Sequence, residues 1–308
     1  MNSNPDQSPS RWVINFHDWA FDAEHDNPKK PKGAPYAADY PDCLAIVEEK
    51  VKPEREANKY SKSAREKWWL YERNRPELYD AIAECDRVLV TARVSPSCAV
   101  TWISSEIVFN EKLVIFPNNS DYLLTILQNS LHWEWARQYT STLGATTLNY
   151  APSDCFETFP FPTSTPNLEE IGEKYYTHRQ TIMQTRQEGL TKTYNRFHNP
   201  DETDSDIEHL RQLHIEMDYA VAAAYGWTDL LPSQRAGGLE HDFHETKQGL
   251  RFTISETVRR EVLDRLLQLN HERYAEEVAA GLHDKKKKGK SRKKKGKKKA
   301  SPGQTSLF

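Results

Sequence analysis

The sequence predicts an α+β chain of 308 residues, with an antiparallel-sheet module and flanking helices first, a helical module next, and a disordered Lys-rich tail. Three observations predict it. Residues 88–94, 99–103 and 113–116 are β-branched and aromatic runs separated by Ser, Pro and Asn, the pattern of short antiparallel strands. Beyond Pro162 the apolar residues instead recur at three- and four-residue spacing, the period of helices. Residues 285–299 hold twelve Lys or Arg and no apolar side chain, so burial cannot offset the entropy of ordering them. The division expected is 1–40, 41–165, 166–284 and 285–308, with 1–40 contributing a strand and a loop to the sheet module.

In chain order, residues 12–16 read as a strand and 27–35 as a Pro, Lys and Gly-rich loop. Leu44, Ile46 and Val47 suggest a helix ended by Pro53, a second helix is expected over 63–72, and a third over 76–83 with Pro76 in its first turn. Ser120 can cap one helix whose stripe is Leu123, Leu124, Leu127, Leu131 and Trp135. Residues 140–150 are again strand-like, and Phe-Pro-Phe-Pro at 159–162 closes the module. Leu168, Ile171, Tyr175, Ile182 and Met183 mark a long helix ended by Gly189. Ser205 and Glu208 form a capping-box pair for the next helix, and a last one starts near Thr253 and carries Val258, Val262, Leu266 and Leu269.

Charge limits the partners. The tail takes twelve of the 42 cations and none of the 45 acids, so the remainder holds 30 cations against 45 acids, a net charge of −15. Such a body does not bind nucleic acid by bulk charge, and any contact must come from a local patch, a cleft, the tail or a partner. The scattered Cys43, Cys85, Cys98 and Cys155 fit a reducing compartment, without a metal-binding pair. No apolar run approaches membrane-spanning length and no signal peptide is apparent, so a cytoplasmic protein with no membrane partner is expected.

Catalytic patterns fail on inspection. No Asn/Asp-Pro-Pro-aromatic loop or Gly-rich methyl-donor turn is present, and Asn199-Pro200, Asn118-Asn119 and Gly237-Gly238 do not substitute for them. Pro41-Asp42 and Glu48-Glu49-Lys50 imitate a nuclease pattern but share one apparent helix rather than adjacent strands. His209, His214, His241 and His244 lack metalloprotease spacing, so neither a catalytic nor a metal site is assigned.

Binding signals are better. Nine cations lie between Lys50 and Arg75 among Tyr60, Trp68, Trp69 and Tyr71, and Lys59, Lys62 and Arg65 occur with no acid between 57 and 65. Cations and amides of this kind hold phosphates, and Lys192 and Arg196 are added to the candidates. Arg93, Ser95, Ser97 and Thr101 in one strand region, and Thr142, Thr146, Thr147 and Asn149 in another, supply short polar groups able to read base edges.

The order of several segments resembles a family. Asp6 to Phe16, Val51-Lys52-Pro53-Glu54-Arg55, Trp68-Trp69, Arg75-Pro76, Ser130-Leu131-His132-Trp133 and Phe156 to Pro162 resemble the target-recognition domain of MmeI-like (type IIL) restriction-modification DNA methyltransferases. Gly189 to Asn195 and Ala224-Tyr225-Gly226-Trp227 resemble that family's carboxyl-terminal helical region. The resemblance implies sequence recognition in double-stranded DNA for an enzyme that methylates adenine N6 in a flipped base. It also implies that S-adenosylmethionine is held by a catalytic half that this chain lacks, so no cofactor is expected here and the chain alone should be inactive. The end, Gln304-Thr305-Ser306-Leu307-Phe308, resembles sliding-clamp-binding peptides in which Gln304, Leu307 and Phe308 fill a pocket. The competing expectation is an acidic helical protein-interaction subunit of a DNA-processing complex, touching DNA only through its tail.

Overall fold

The computed structural model describes residues 3–25, 33–97, 99–144, 147–163 and 165–283. Eleven helices and three small antiparallel sheets are found among them, so the α+β expectation stands. No described helix is long and apolar enough to cross a membrane.

The amino-terminal segment differs from expectation at its start. Residues 12–16 form no strand, and Trp12 is fully exposed while Phe16 is buried. A strand needs a ladder partner, and none is alongside among the described residues. Helices α1 (Pro41–Lys50), α2 (Lys52–Ala57), α3 (Lys62–Glu66) and α4 (Pro76–Ile82) follow. Pro53 does end α1's register, but it sits in the first turn of α2, where its missing N–H costs nothing. Phe16, Ala37, Val47 and Trp68 form this segment's buried cluster, and the Trp69 indole donates to the Trp19 carbonyl at 3.0 Å. Both tryptophans are thus packed inside.

Strand β1 (Arg87–Ala92) lies between β3 (Val100–Ser104) and β4 (Leu113–Phe116). Val88, Leu89 and Val90 are all fully buried, as expected for a central strand covered on both faces. The second sheet has β2 (Val94–Ser95), β6 (Thr147–Asn149) and β5 (Thr142–Leu143) in that order. The leucine stripe is confirmed, but as two helices, α5 (Asp121–Gln128) and α6 (Ser130–Tyr139). Asn129 divides them because its amide donates back to the carbonyls of Thr125 and Ile126 while its oxygen accepts from the His132 N–H. The short α7 (Pro152–Cys155) leads to the Phe-Pro-Phe-Pro segment.

After it come α8 (Pro166–Arg186), α9 (Leu190–Phe197) and α10 (Ser205–Ala224), then a hairpin of β7 (Asp242–Thr246) and β8 (Gly249–Thr253), and finally α11 (Glu256–Ala279). The hairpin corrects the expectation of helices alone, and the last helix begins after it, capped by Ser255. Gln187, not Gly189, takes the left-handed cap of α8, with φ 52°. The capping box is also absent: Asp204 precedes α10, with its carboxylate engaged by Arg186 at 2.7 Å.

The core crosses the expected 165/166 division. Leu89, Trp102, Leu124, Leu131, Trp135 and Phe159 pack in one cluster with Leu168, Val221, Ile254, Val258 and Leu266. Arg179 of α8, fully buried, donates to the Val100 carbonyl at 2.7 Å, to Gln128 Oε1 at 3.1 Å and to the Tyr194 hydroxyl at 2.8 Å. The proline carbonyls are stitched in as well, Pro162 accepting from the Tyr122 hydroxyl at 2.7 Å and Pro160 from that of Tyr225 at 2.8 Å. At Gly172 α8 approaches α5 so closely that a Cβ would lie 2.6 Å from the Asp121 carbonyl oxygen.

Candidate nucleic-acid interface

The second sheet joins the two polar regions that the sequence singles out. Val94 pairs with Asn149, Ser95 and Thr142 both pair with Leu148, and Leu143 pairs with Thr147. Arg93 enters this sheet with its main chain fixed on both sides, its N–H donating to the Lys112 carbonyl at 2.8 Å and its carbonyl accepting from Tyr150 N–H at 2.7 Å. Its side chain is exposed, as is Thr142, while Ser97, Thr147 and Asn149 are half-buried. Asn149 Nδ2 donates to Ser141 Oγ at 3.0 Å, and Thr142 Oγ1 to the Gly144 carbonyl at 3.1 Å.

Beneath the sheet, Tyr150 meets His132 of α6, the hydroxyl lying 2.9 Å from Nε2. Burial holds this imidazole down to about 3, so it is neutral at physiological pH. The nearby Cys155 thiol is pushed up to about 12 by burial, which makes it unreactive.

Two of the expected base contacts do not reach a ligand. Thr101 is completely buried and its hydroxyl donates to Gln7 Oε1, tying the amino-terminal segment to β3. Ser95 is 9% exposed and its Oγ accepts from the Ser97 N–H at 3.1 Å. A hydroxyl that finds an internal partner is at home in a core, so residue type alone does not place it outside. Thr146 lies outside the described residues, as do Gln304, Leu307 and Phe308 and the whole of 284–308.

The expected phosphate contacts are spread over separate elements. Lys59 and Lys62 are exposed, with Lys62 3.5 Å from Glu66 across one turn of α3, and Arg65 is half-buried with a guanidinium N–H on the Asn58 carbonyl. Lys192 is exposed on α9. Arg196 is not available in the same way, because Glu188 takes its fork at 2.9 Å and Glu202 takes the other side at 2.7 Å. Those carboxylates raise the guanidinium's affinity for its proton and neutralise its charge locally.

A cleft of about 500 Å³ opens beside the sheet. Thr142 lines one wall, Arg137 and Gln138 of α6 another, and Thr246, Lys247 and Gln248 at the hairpin turn close it against Arg259 of α11. Arg137 pairs with Glu134 at 2.6 Å and Arg259 with Glu256 at 2.6 Å, and the latter hydrogen bond holds Glu256 down to about 2. The cleft is therefore lined by amides, hydroxyls and balanced charge, a surface suited to base edges. The hairpin wall was missed in the sequence. Phe243 and Phe252, whose rings meet at 5.3 Å, flank a turn with Gly249 at φ 87°, and that alternation around Lys-Gln-Gly was its signal.

A buried Ser-His-Asp group invites a hydrolytic reading, which the geometry rejects. Ser130 Oγ is 3.0 Å and Asp218 Oδ2 3.7 Å from the same His214 nitrogen, Nε2, whereas a proton relay needs the carboxylate on the opposite nitrogen. Asp218 is fully buried, where desolvation would raise its pKa, but His214, the His241 hydrogen bond at 2.8 Å and Ser130 outweigh that and keep it ionised. It is a structural knot. No group of three or more His, Cys, Asp or Glu placed to hold a metal occurs among the described residues.

No protein-family model matches the chain, and no curated protein matches it. Among solved structures the chain is similar to the type IIL restriction-modification enzyme MmeI, solved in complex with DNA, at 16% identity and a TM-score of 0.51. The match covers 79% of this chain and spans 28% of that enzyme's chain, so what the two share is the fold of a part of a restriction-modification enzyme.

Proposed function

We propose that the chain recognises duplex DNA by sequence, as the recognition portion of an adenine-N6 methyltransferase of a restriction-modification system. The observation that carries this is the β2–β6–β5 register, which brings Arg93 and Thr142 to one face of a small sheet and Thr147 and Asn149 to the other, with Thr142 lining the polar cleft. Side chains on a firm strand scaffold can present guanidinium and amide groups to base edges in the major groove. The likeness of fold to a DNA-bound enzyme supports the same reading. In it, methyl transfer and S-adenosylmethionine belong to a catalytic partner, and Gln304, Leu307 and Phe308 offer a further contact to a sliding clamp.

Selection of bound duplexes from a randomised pool tests it. Enrichment of one short sequence is expected, lost in an Arg93→Ala/Asn149→Ala variant, while a flat pool from the intact chain would refute recognition. The purified chain with labelled methyl donor should leave DNA unmethylated.

One observation favours a second reading as a protein-interaction subunit. Tyr274 and Val278 in the last turns of α11, and Leu282 just beyond its end, are all exposed. Removing residues 285–308 separates the two, since selective DNA binding survives only under the first.

A further inference from the structure

The run Tyr71-Glu72-Arg73-Asn74-Arg75 places two arginines either side of an asparagine just before Pro76. Together with Val108, Phe109, Asn110 and Glu111 it lines a cleft of about 640 Å³, which Val13 and Leu78 also line. Both arginines are exposed, and neither guanidinium has a hydrogen bond or ion pair among the described residues. The guanidinium groups of Arg11, Arg93 and Arg273 are likewise without a hydrogen bond or ion pair there. In the helical half Arg186, Arg196, Arg235, Arg259 and Arg265 all sit on carboxylates. A body with fifteen more acids than cations could readily have neutralised these two as well.

The backbone presents them deliberately. Arg75 adopts φ 49° and ψ 58°, a left-handed conformation that side chains avoid and that a following proline disfavours further. Asn74 holds the bend by donating to the His17 carbonyl at 3.2 Å. The opposite wall leads straight to the recognition sheet: Glu111 lines the cleft, and the next residue, exposed Lys112, accepts the Arg93 N–H on its carbonyl at 2.8 Å. The cleft and the sheet are thus joined along one edge by Lys112 and Arg93.

We propose that this cleft is a phosphodiester-binding site, in which Arg73 and Arg75 grip backbone phosphates of the same duplex whose bases the sheet reads. The inference rests on the DNA-recognition reading and adds to it a second, sequence-independent contact. Guanidinium forks suit phosphate oxygens, and such contacts set register without carrying sequence information.

The test is duplex binding by the full chain, measured by fluorescence anisotropy against salt concentration, for wild type and the Arg73→Ala/Arg75→Ala variant. Each lost phosphate contact removes about 0.9 from the slope of log K against log salt, so the slope should become shallower by about 2. Both proteins keep the basic tail, whose contribution cancels. The weakening should be equal on a preferred and a scrambled duplex, and Arg73→Lys/Arg75→Lys should restore most of the slope. An unchanged slope in a variant with unaltered circular dichroism and unfolding midpoint overturns the proposal, as does a loss confined to the preferred duplex. Should wild type bind no duplex at all, the recognition reading fails and takes this site with it. If wild type binds selectively while the slope stays fixed, only this site fails.

Discussion

Acid should loosen the seat of the β2–β6–β5 sheet through one residue, His132. It is fully buried on α6, shares a 2.9 Å hydrogen bond with the Tyr150 hydroxyl, and packs edge-on against Phe159 at 4.7 Å. Folded, it takes a proton only near about 3, against 6.5 when unfolded. A group depressed in this direction contributes its full stability above the unfolded value and loses it as pH falls toward the folded one. Between pH 8 and pH 5 the loss from this histidine alone is about 2 kcal/mol, and at pH 4 about 3 kcal/mol. Urea unfolding followed by tryptophan fluorescence at the two pH values measures it in wild type and in His132→Gln, which keeps a polar partner for Tyr150 but does not titrate. His198 and His214 are depressed by burial too and are common to both proteins, so their contribution cancels in the comparison. A glutamine variant that loses as much stability on acidification as wild type would refute the reasoning.

Three further outcomes are expected. Gly172→Ala forces a Cβ against Thr125 Oγ1 and the Asp121 carbonyl, so it should destabilise by about 1–3 kcal/mol in thermal unfolding, because two helix backbones must separate. Asp218→Ala removes the acceptor shared by the Ser130 N–H and His241, and the loss should be about 1–3 kcal/mol by chemical denaturation, as for buried polar groups left without a partner. Asn149→Ala leaves the fold intact and should narrow the affinity gap between preferred and scrambled duplexes by about 1–3 kcal/mol in competition binding.

The parts of the fold governed by local chemistry were legible. Strand β4 was located to the residue, β1 and β3 within two, because β-branched runs bounded by Ser and Asn have few other uses. The leucine stripe and the Ser120 cap gave α5, whose Tyr122 N–H the serine hydroxyl does accept. What failed depended on distant partners. Residues 12–16 have strand composition but no neighbour to pair with among the described residues, and the β7–β8 hairpin is too short to interrupt a helical pattern visibly. Within the site, β2 and β6 pair the 93–97 and 142–149 regions, while the burial of Thr101 and Ser95 turned on Gln7 and Ser97, which composition does not reveal. Arg196 looked like a free cation until Glu188 and Glu202, eight and six residues away, closed on it.

The continuous core across residues 165/166 bears on how such a surface could be reassigned to a new target. Leu168, Val221, Ile254, Val258 and Leu266 fill the space behind Leu89, Leu124 and Trp135, and Arg179 reaches through to the Val100 carbonyl. A crossover cut at that point would pair half a core with a stranger's other half, leaving a guanidinium without its oxygens. Under the proposed recognition role, new specificity is therefore cheaper to reach by point changes at Arg93, Thr142, Thr147 and Asn149, or by exchanging 87–283 as one block, than by swapping the sheet alone.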